Sequence, residues 1–172
     1  MQYTQNRYTD EHIETVFDNY ESQQRVDGFM FDLQMWDIAE QIEYDRQRTL
    51  SYPDTDVFIL CFAVNDKNSM KSAEKKWYSE IRKYNKHSPV ILVGLKSDLR
   101  NPSYQNPNFV TLDDATDMLH NLNLYSYVEC SSRNNTNIIA VFETAVHAYL
   151  YYEQHADAAK ATQKMKGCCT IL

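Results

Sequence analysis

Residues 29–64 read FMFDLQMWDIAEQIEYDRQRTLSYPDTDVFILCFAV, and this stretch decides the fold. It opens with apolar residues at alternate positions, Phe29, Phe31, Leu33 and Met35, the period-2 pattern of a half-buried strand. It closes with Val57 to Val64, an almost unbroken apolar run bounded by Pro53-Asp54 and Asn65-Asp66. A run of that kind predicts a strand buried on both faces, as in the parallel sheet of an α/β domain. The loop between them starts with Asp37, a carboxylate at a strand end, where open α/β sheets place their ligand-binding groups.

Upstream, residues 23–26 are β-prone and Asp27-Gly28 follows, the preferred two-residue turn of a hairpin leading into the Phe29 strand. Downstream, Ala73, Trp77, Ile81 and Tyr84 recur at three- and four-residue steps and predict a helix over residues 68–84. Pro89-Val90-Ile91-Leu92-Val93 reads as another buried strand. Residues 101–110, NPSYQNPNFV, form a turn-rich loop. Thr111 and Asp114 have the spacing of a helix N-cap pair before Ala115, Met118 and Leu119. Ile138, Val141, Phe142, Ala145, Ala148 and Tyr149 trace the apolar stripe of a closing helix.

At 172 residues the chain is long enough for one domain with a real core. Its formal net charge of -7 argues against a general nucleic-acid binder. No apolar run reaches bilayer-spanning length, and the polar N-terminus has no signal-peptide pattern. The four cysteines, Cys61, Cys130, Cys168 and Cys169, lack metal or redox spacing, so a reducing, cytosolic setting is expected. Glycine is the informative count: Gly28, Gly94 and Gly167 are the only three. A phosphate-cradling loop needs clustered glycines so that backbone N–H groups can converge on phosphate oxygens. No such pair exists here.

The motifs closely resemble those of the Rho family of small GTPases. There a strand ends in WDTAGQE, followed by YDRLRPLSYPDTDV and a buried strand. Here the residues are Trp36-Asp37-Ile38-Ala39-Glu40-Gln41, then Tyr44-Asp45-Arg46-Gln47-Arg48-Thr49-Leu50-Ser51-Tyr52-Pro53-Asp54-Thr55-Asp56-Val57. The resemblance implies a P-loop-NTPase-like (Ras-type) three-layer α/β fold with a mostly parallel sheet. It also implies GTP binding and hydrolysis with Mg²⁺ and GTP or GDP, in the service of actin and membrane-linked signalling. His12-Ile13-Glu14-Thr15-Val16-Phe17-Asp18-Asn19-Tyr20 is similar to the first switch, YVPTVFENY. By that likeness Thr15 and Asp37 are Mg²⁺ and nucleotide ligands, and Val16, Phe17, Asp18, Asn19 and Tyr20 contact effectors. Gly94-Leu95-Lys96-Ser97-Asp98-Leu99-Arg100 is similar to the guanine-reading GNKxDL or GTKxDL. Asp98 then accepts from the guanine edge, Lys96 packs along the base, and Leu95 departs from the pattern. Tyr127-Val128-Glu129-Cys130-Ser131-Ser132-Arg133 is similar to YxECSAK, which assigns Ser131, Ser132 and Arg133 to the same pocket.

Two further departures bear on function. The family begins with a strand, the phosphate loop and a helix, none of which has a counterpart upstream of Met1. The sheet is therefore expected to lack its first strand and first helix, leaving the Phe29 and Val57 strands without a shared neighbour. Gln41 matches the water-orienting Gln, but Glu40 replaces the adjacent glycine and brings a carboxylate toward a phosphate. Nucleotide binding and hydrolysis are expected to be impaired. Tyr44, Arg46, Arg48, Leu50 and Tyr52 are expected to form a partner-facing surface.

The expected organisation is a GTPase-like domain over residues 1–152 and a flexible tail over residues 153–172. The tail ends in Cys169-Thr170-Ile171-Leu172, a C-a-a-X box whose terminal Leu favours geranylgeranylation of Cys169. A single isoprenoid holds membranes weakly; Lys160, Lys164 and Lys166, or lipidation of Cys168, could supply the second signal. This places the chain on the cytoplasmic face of membranes, the plasma membrane first, with a cytosolic pool. Partners implied are Rho-type effectors, exchange factors, GTPase-activating proteins or dissociation inhibitors, and no nucleic acid. The alternatives are a Rho-type GTP-binding switch whose first strand, phosphate loop and helix belong to a longer chain, with Mg²⁺ at Thr15 and Asp37 and nucleotide-dependent partner binding; a nucleotide-independent, membrane-anchored protein that competes for Rho effectors or regulators; and an unfolded remnant.

Overall fold

A computed structural model of the chain describes residues 2–9, 17–38, 44–100, 106–156 and 168–171. Strands β1 (Phe17–Val26) and β2 (Phe29–Ile38) form an antiparallel hairpin in unbroken register, from Val26↔Phe29 to Phe17↔Ile38. Asp27 and Gly28 have φ of 50° and 85°, as the two-residue turn requires. On β2 the alternation holds for Phe31, Leu33 and Met35, which are buried, while Phe29 beside the turn is 70 % exposed.

Strands β3 (Phe58–Ala63), β4 (Val90–Leu95) and β5 (Tyr127–Glu129) run parallel to one another. Between β3 and β4 a helix spans residues 67–84, as α3 (Lys67–Ser72), a π stretch (Ala73–Tyr78) and α4 (Ser79–Tyr84). Asp66 caps it by accepting the Asn68 N–H at 2.8 Å. Helix α5 (Leu112–Asn121) starts in the expected capping box, with Thr111 and Asp114 exchanging side-chain-to-backbone hydrogen bonds. Helix α6 (Ile138–Ala156) packs Val141, Ala145, Val146 and Ala148 on one sheet face. The helices between β3 and β5 cover the other face through Ala73, Ile81, Ala115 and Met118. Helix–sheet–helix layering follows.

The vacancy expected between the Phe29 and Val57 strands is filled. Strand β6 (Cys168–Ile171) lies parallel to β2, with Leu33↔Cys169 and Met35↔Ile171 in register. The strands form two three-stranded sheets, β1-β2-β6 and β3-β4-β5, and on the other side of β6 an isolated bridge from Ile171 to Val57, just before β3, joins them edge to edge. The Asp56 and Val57 N–H groups donate to the Thr170 carbonyl at 3.0 and 3.1 Å, and Asp56 Oδ2 accepts the Thr170 N–H at 2.6 Å. Ile171 is 2 % exposed within the core facing α6. Full burial of an Ile stabilises by about 1.5–3 kcal/mol. The tail expected from residue 153 onward thus differs at both ends: α6 continues to Ala156, and residues 168–171 join the sheet.

A second correction concerns β3. Phe58, Leu60 and Phe62 are buried, but Cys61 on the opposite face is exposed. That face opens on a cavity of about 310 Å³ lined by Ile59, Cys61, Val93, Leu95 and Phe142. The short helix α1 (Gln2–Gln5) closes it only in part: Tyr3 stacks on Phe142 at 3.7 Å and donates to Gln24 Oε1 at 2.8 Å.

Candidate functional site

Two turns at the C-terminal ends of parallel strands meet, where a doubly wound sheet presents ligand-binding groups. After β4, Lys96 takes a left-handed conformation (φ 63°), and Ser97–Leu99 makes a single 3₁₀ turn carrying Asp98. After β5, Ser131 is 1 % exposed, and its Oγ donates to Asp98 Oδ1 at 2.5 Å. Ser131 also accepts the Asn134 N–H on Oγ at 3.2 Å and exchanges backbone bonds with Thr136. The Ser97 N–H donates to the Cys130 carbonyl at 3.1 Å, a second tie between the turns. Lys96, Asp98 and Ser131 therefore come together as one rigid corner. Ser132 lines the cavity that also reaches Asp37, and the Arg133 guanidinium stands 6.0 Å from the Tyr8 ring centroid.

The corner is braced by a cluster that sequence reasoning missed. Arg100 makes a bidentate pair with Glu129, 2.6 Å on each arm, and Tyr127 donates to the same carboxylate at 2.6 Å. Burial opposes the Glu129 charge, but hydrogen bonds from Arg100 and Tyr127 hold its pKa below the ordinary range. The hydrogen bond to Glu129 raises Arg100 further. The ECS run and Arg100 stand 29 residues apart, so only the folded chain pairs them.

Asp37 lies near the end of β2, directly opposite Asp18 of β1 in the ladder. Desolvation in the cavity and the Asp18 carboxylate push its pKa up. Asp18 itself accepts the Tyr20 hydroxyl at 3.0 Å. Phe17, Asp18, Asn19 and Tyr20 open the edge strand β1, with Asp18 and Asn19 exposed and Tyr20 half-buried. Thr15, Val16, Glu40 and Gln41 lie outside the described residues.

The second-switch surface divides. Helix α2 (Asp45–Ser51) exposes Arg46 and Leu50, the latter 68 % exposed, with Tyr44 half-buried at its N-cap position. Tyr52 and Arg48 do not face a partner; each is 4 % exposed. Arg48 binds Glu80 at 2.8 and 3.2 Å and Asp45 at 2.5 Å, and Tyr52 donates to Glu80 at 2.8 Å. The reason for both corrections is the acidic Glu80 on α4, which offers an inward partner to polar groups on an otherwise buried helix face. Asn85 anchors the next segment, donating to the Tyr52 and Thr55 carbonyls at 2.9 and 3.2 Å.

A family model described as "Ras family" matches residues 1–151. This is a Ras-family chain of the Rho type. It is 41 % identical over 146 residues to the Ras-like GTP-binding protein RhoL of Drosophila melanogaster, covering 85 % of this chain and 76 % of that protein. It is 34 % identical over 177 residues to the GTP-binding protein rho1 of Schizosaccharomyces pombe, covering 98 % and 88 % respectively.

Family membership sets the test for GTP and Mg²⁺, the family's usual ligands. The base side fits: a carboxylate at Asp98, held by Ser131, beside Lys96. Among the described residues the phosphate side does not fit: Asp37 lies opposite the Asp18 carboxylate in the ladder. Among the described residues no group of three His, Cys, Asp or Glu side chains is placed to hold a metal ion. Also among these residues, no helix is long and apolar enough to cross a membrane.

Proposed function

We propose that this Rho-type chain is a signalling protein that engages Rho effectors or regulators with little dependence on nucleotide. Its affinity for GTP and GDP is weak and its hydrolysis is impaired. One observation carries the reading: the sheet position between β2 and β3 is held by Cys168–Ile171 rather than by a strand entering a phosphate-binding turn. The Asp18–Asp37 pairing and the glycine count support it, as does Glu40 beside Gln41. By resemblance Thr15 and Asp37 would hold Mg²⁺ and Gln41 would orient the attacking water, and the Asp18 carboxylate opposite Asp37 weakens that arrangement.

Partner binding falls to the surfaces that are presented. The edge strand β1 offers backbone groups to an added strand, and Arg46 with Leu50 offers the charged and apolar contacts that interfaces favour. Exchange factors, GTPase-activating proteins and dissociation inhibitors that read these same surfaces are candidate partners. A geranylgeranyl group on Cys169, assisted by the nearby lysines or by Cys168, anchors the protein to the cytoplasmic face of the plasma membrane, with a cytosolic pool.

The test is the affinity of the chain for a Rho-type effector domain, measured with GTP, with GDP and after chelation of Mg²⁺. The reading expects one affinity, unchanged within about twofold, a difference of ~0.4 kcal/mol. A second reading, nucleotide-dependent switching, draws on the intact base corner at Asp98 and Ser131. It expects GTP to strengthen effector binding by tenfold or more, ~1.4 kcal/mol.

A further inference from the structure

The same four residues, 168–171, serve two roles that exclude each other. As β6 they are clamped from both sides, by β2 through Leu33 and Met35 and by Asp56 and Val57 through Thr170. Asp56 makes this clamp specific, since its side chain accepts the Thr170 N–H while its backbone N–H donates to the Thr170 carbonyl. Ile171 seals the strand into the core beneath α6. As a lipidation box, the same segment must leave the sheet and enter a transferase in extended form with its backbone free.

We propose that the C-terminal segment is a docked strand, and that its seating between β2 and β3 withholds Cys169 from isoprenylation, so sheet closure and membrane anchoring compete for the same residues. The proposal rests on the lipid-anchor part of the function given above. In the transfer, the Cys169 thiolate attacks C1 of an isoprenyl diphosphate. A C–S bond replaces the C–O bond, diphosphate leaves, and the thiol proton passes to solvent. No part of that step can proceed while the segment is paired on both edges. The seated chain is then the cytosolic form, and the released, lipidated chain is the membrane form.

Two measurements on the 172-residue chain test this separately. The double variant Met35→Cys with Ile171→Cys puts thiols at positions opposite each other in adjacent strands, within reach of a disulfide. Mild oxidation should link them as the main product, mapped by peptide mass; absence of that link overturns the docked strand. Next, geranylgeranyl transfer from geranylgeranyl diphosphate by a protein geranylgeranyltransferase is compared for the folded chain and a peptide of residues 158–172. The peptide should react at least tenfold faster. Asp56→Ala, which leaves the lipidation box untouched, should speed the folded chain at least fivefold while circular dichroism stays native. Equal rates for peptide and folded chain overturn the competition alone. A peptide that accepts no isoprenoid overturns the lipid anchor and the competition with it, while the disulfide result still decides whether the strand is seated.

Discussion

Ser131 Oγ donates to Asp98 Oδ1 at 2.5 Å, locking the turn after β5 to the turn after β4. A buried hydroxyl holding a carboxylate in place is a positioning device, because it fixes the direction in which the other oxygen points. Hydrogen bonds to charged groups contribute about 1.5–3 kcal/mol. Ser131→Ala should therefore lower unfolding free energy by about 2 kcal/mol, from this bond and the lost bond to the Asn134 N–H. Urea denaturation at constant m-value checks it; a change within the error of the midpoint would contradict the tie.

Arg48 and Glu80 make the strongest claim about the second-switch region. Arg48 is buried, so removing its partner leaves a charge with reduced compensation. Breaking such a pair costs about 3–5 kcal/mol. Glu80→Ala should destabilise by about 3 kcal/mol, tempered by the remaining Asp45 contact. Arg46→Ala, on the exposed side of the same helix, should change stability by no more than about 0.5 kcal/mol. Parallel thermal melts distinguish the two. Comparable losses would put Arg46, not Arg48, among the structural residues.

Acid should weaken the fold through Glu80 and Glu129. Burial opposes both charges, yet hydrogen bonds from Arg48 and Tyr52, and from Arg100 and Tyr127, hold each pKa below the ordinary 4.5. A depressed carboxyl binds fewer protons in the folded state than in the unfolded one. Its stabilisation is complete above 4.5 and is lost as pH falls through the folded-state value. Asp37 and Asp56, both raised mainly by burial, act in the opposite sense, stabilising at low pH and losing that as pH rises through their folded values. Below 4.5 Glu129→Gln should remove its share of the acid loss, so that unfolding free energy followed from neutral pH downward falls less, or rises more, in the variant than in the parent. A variant with the parent's acid slope would remove Glu129 from the account.

Much of the scaffold was legible in the sequence because its signals are local. Asp27-Gly28 specifies its turn by positive φ, Thr111 and Asp114 specify a cap, and Ala73, Ile81, Val141 and Ala145 specify helix faces by spacing alone. The base corner was legible as a resemblance at Lys96, Asp98 and Ser131. What stayed hidden depends on distant partners. Tyr52 and Arg48 look like interface residues until Glu80 is brought against them. Gly94 has no local reason to be glycine; an added Cβ would come within 2.7 Å of the Tyr127 hydroxyl that serves Glu129. The four residues 168–171 carried no strand signal of their own, because a segment that short becomes a strand only when the edge of β2 and the backbone at Asp56 and Val57 receive it.

The proposed function rests on a guanine site built on the base side, at Asp98 and Ser131, and unbuilt on the phosphate side. Equilibrium titration of the 172-residue chain with guanosine and with GDP, both in the presence of Mg²⁺, isolates the contribution of the phosphates. Affinities within about tenfold of each other are expected, a difference of ~1.4 kcal/mol. GDP binding at least a thousandfold tighter than guanosine, about 4.1 kcal/mol, would contradict it.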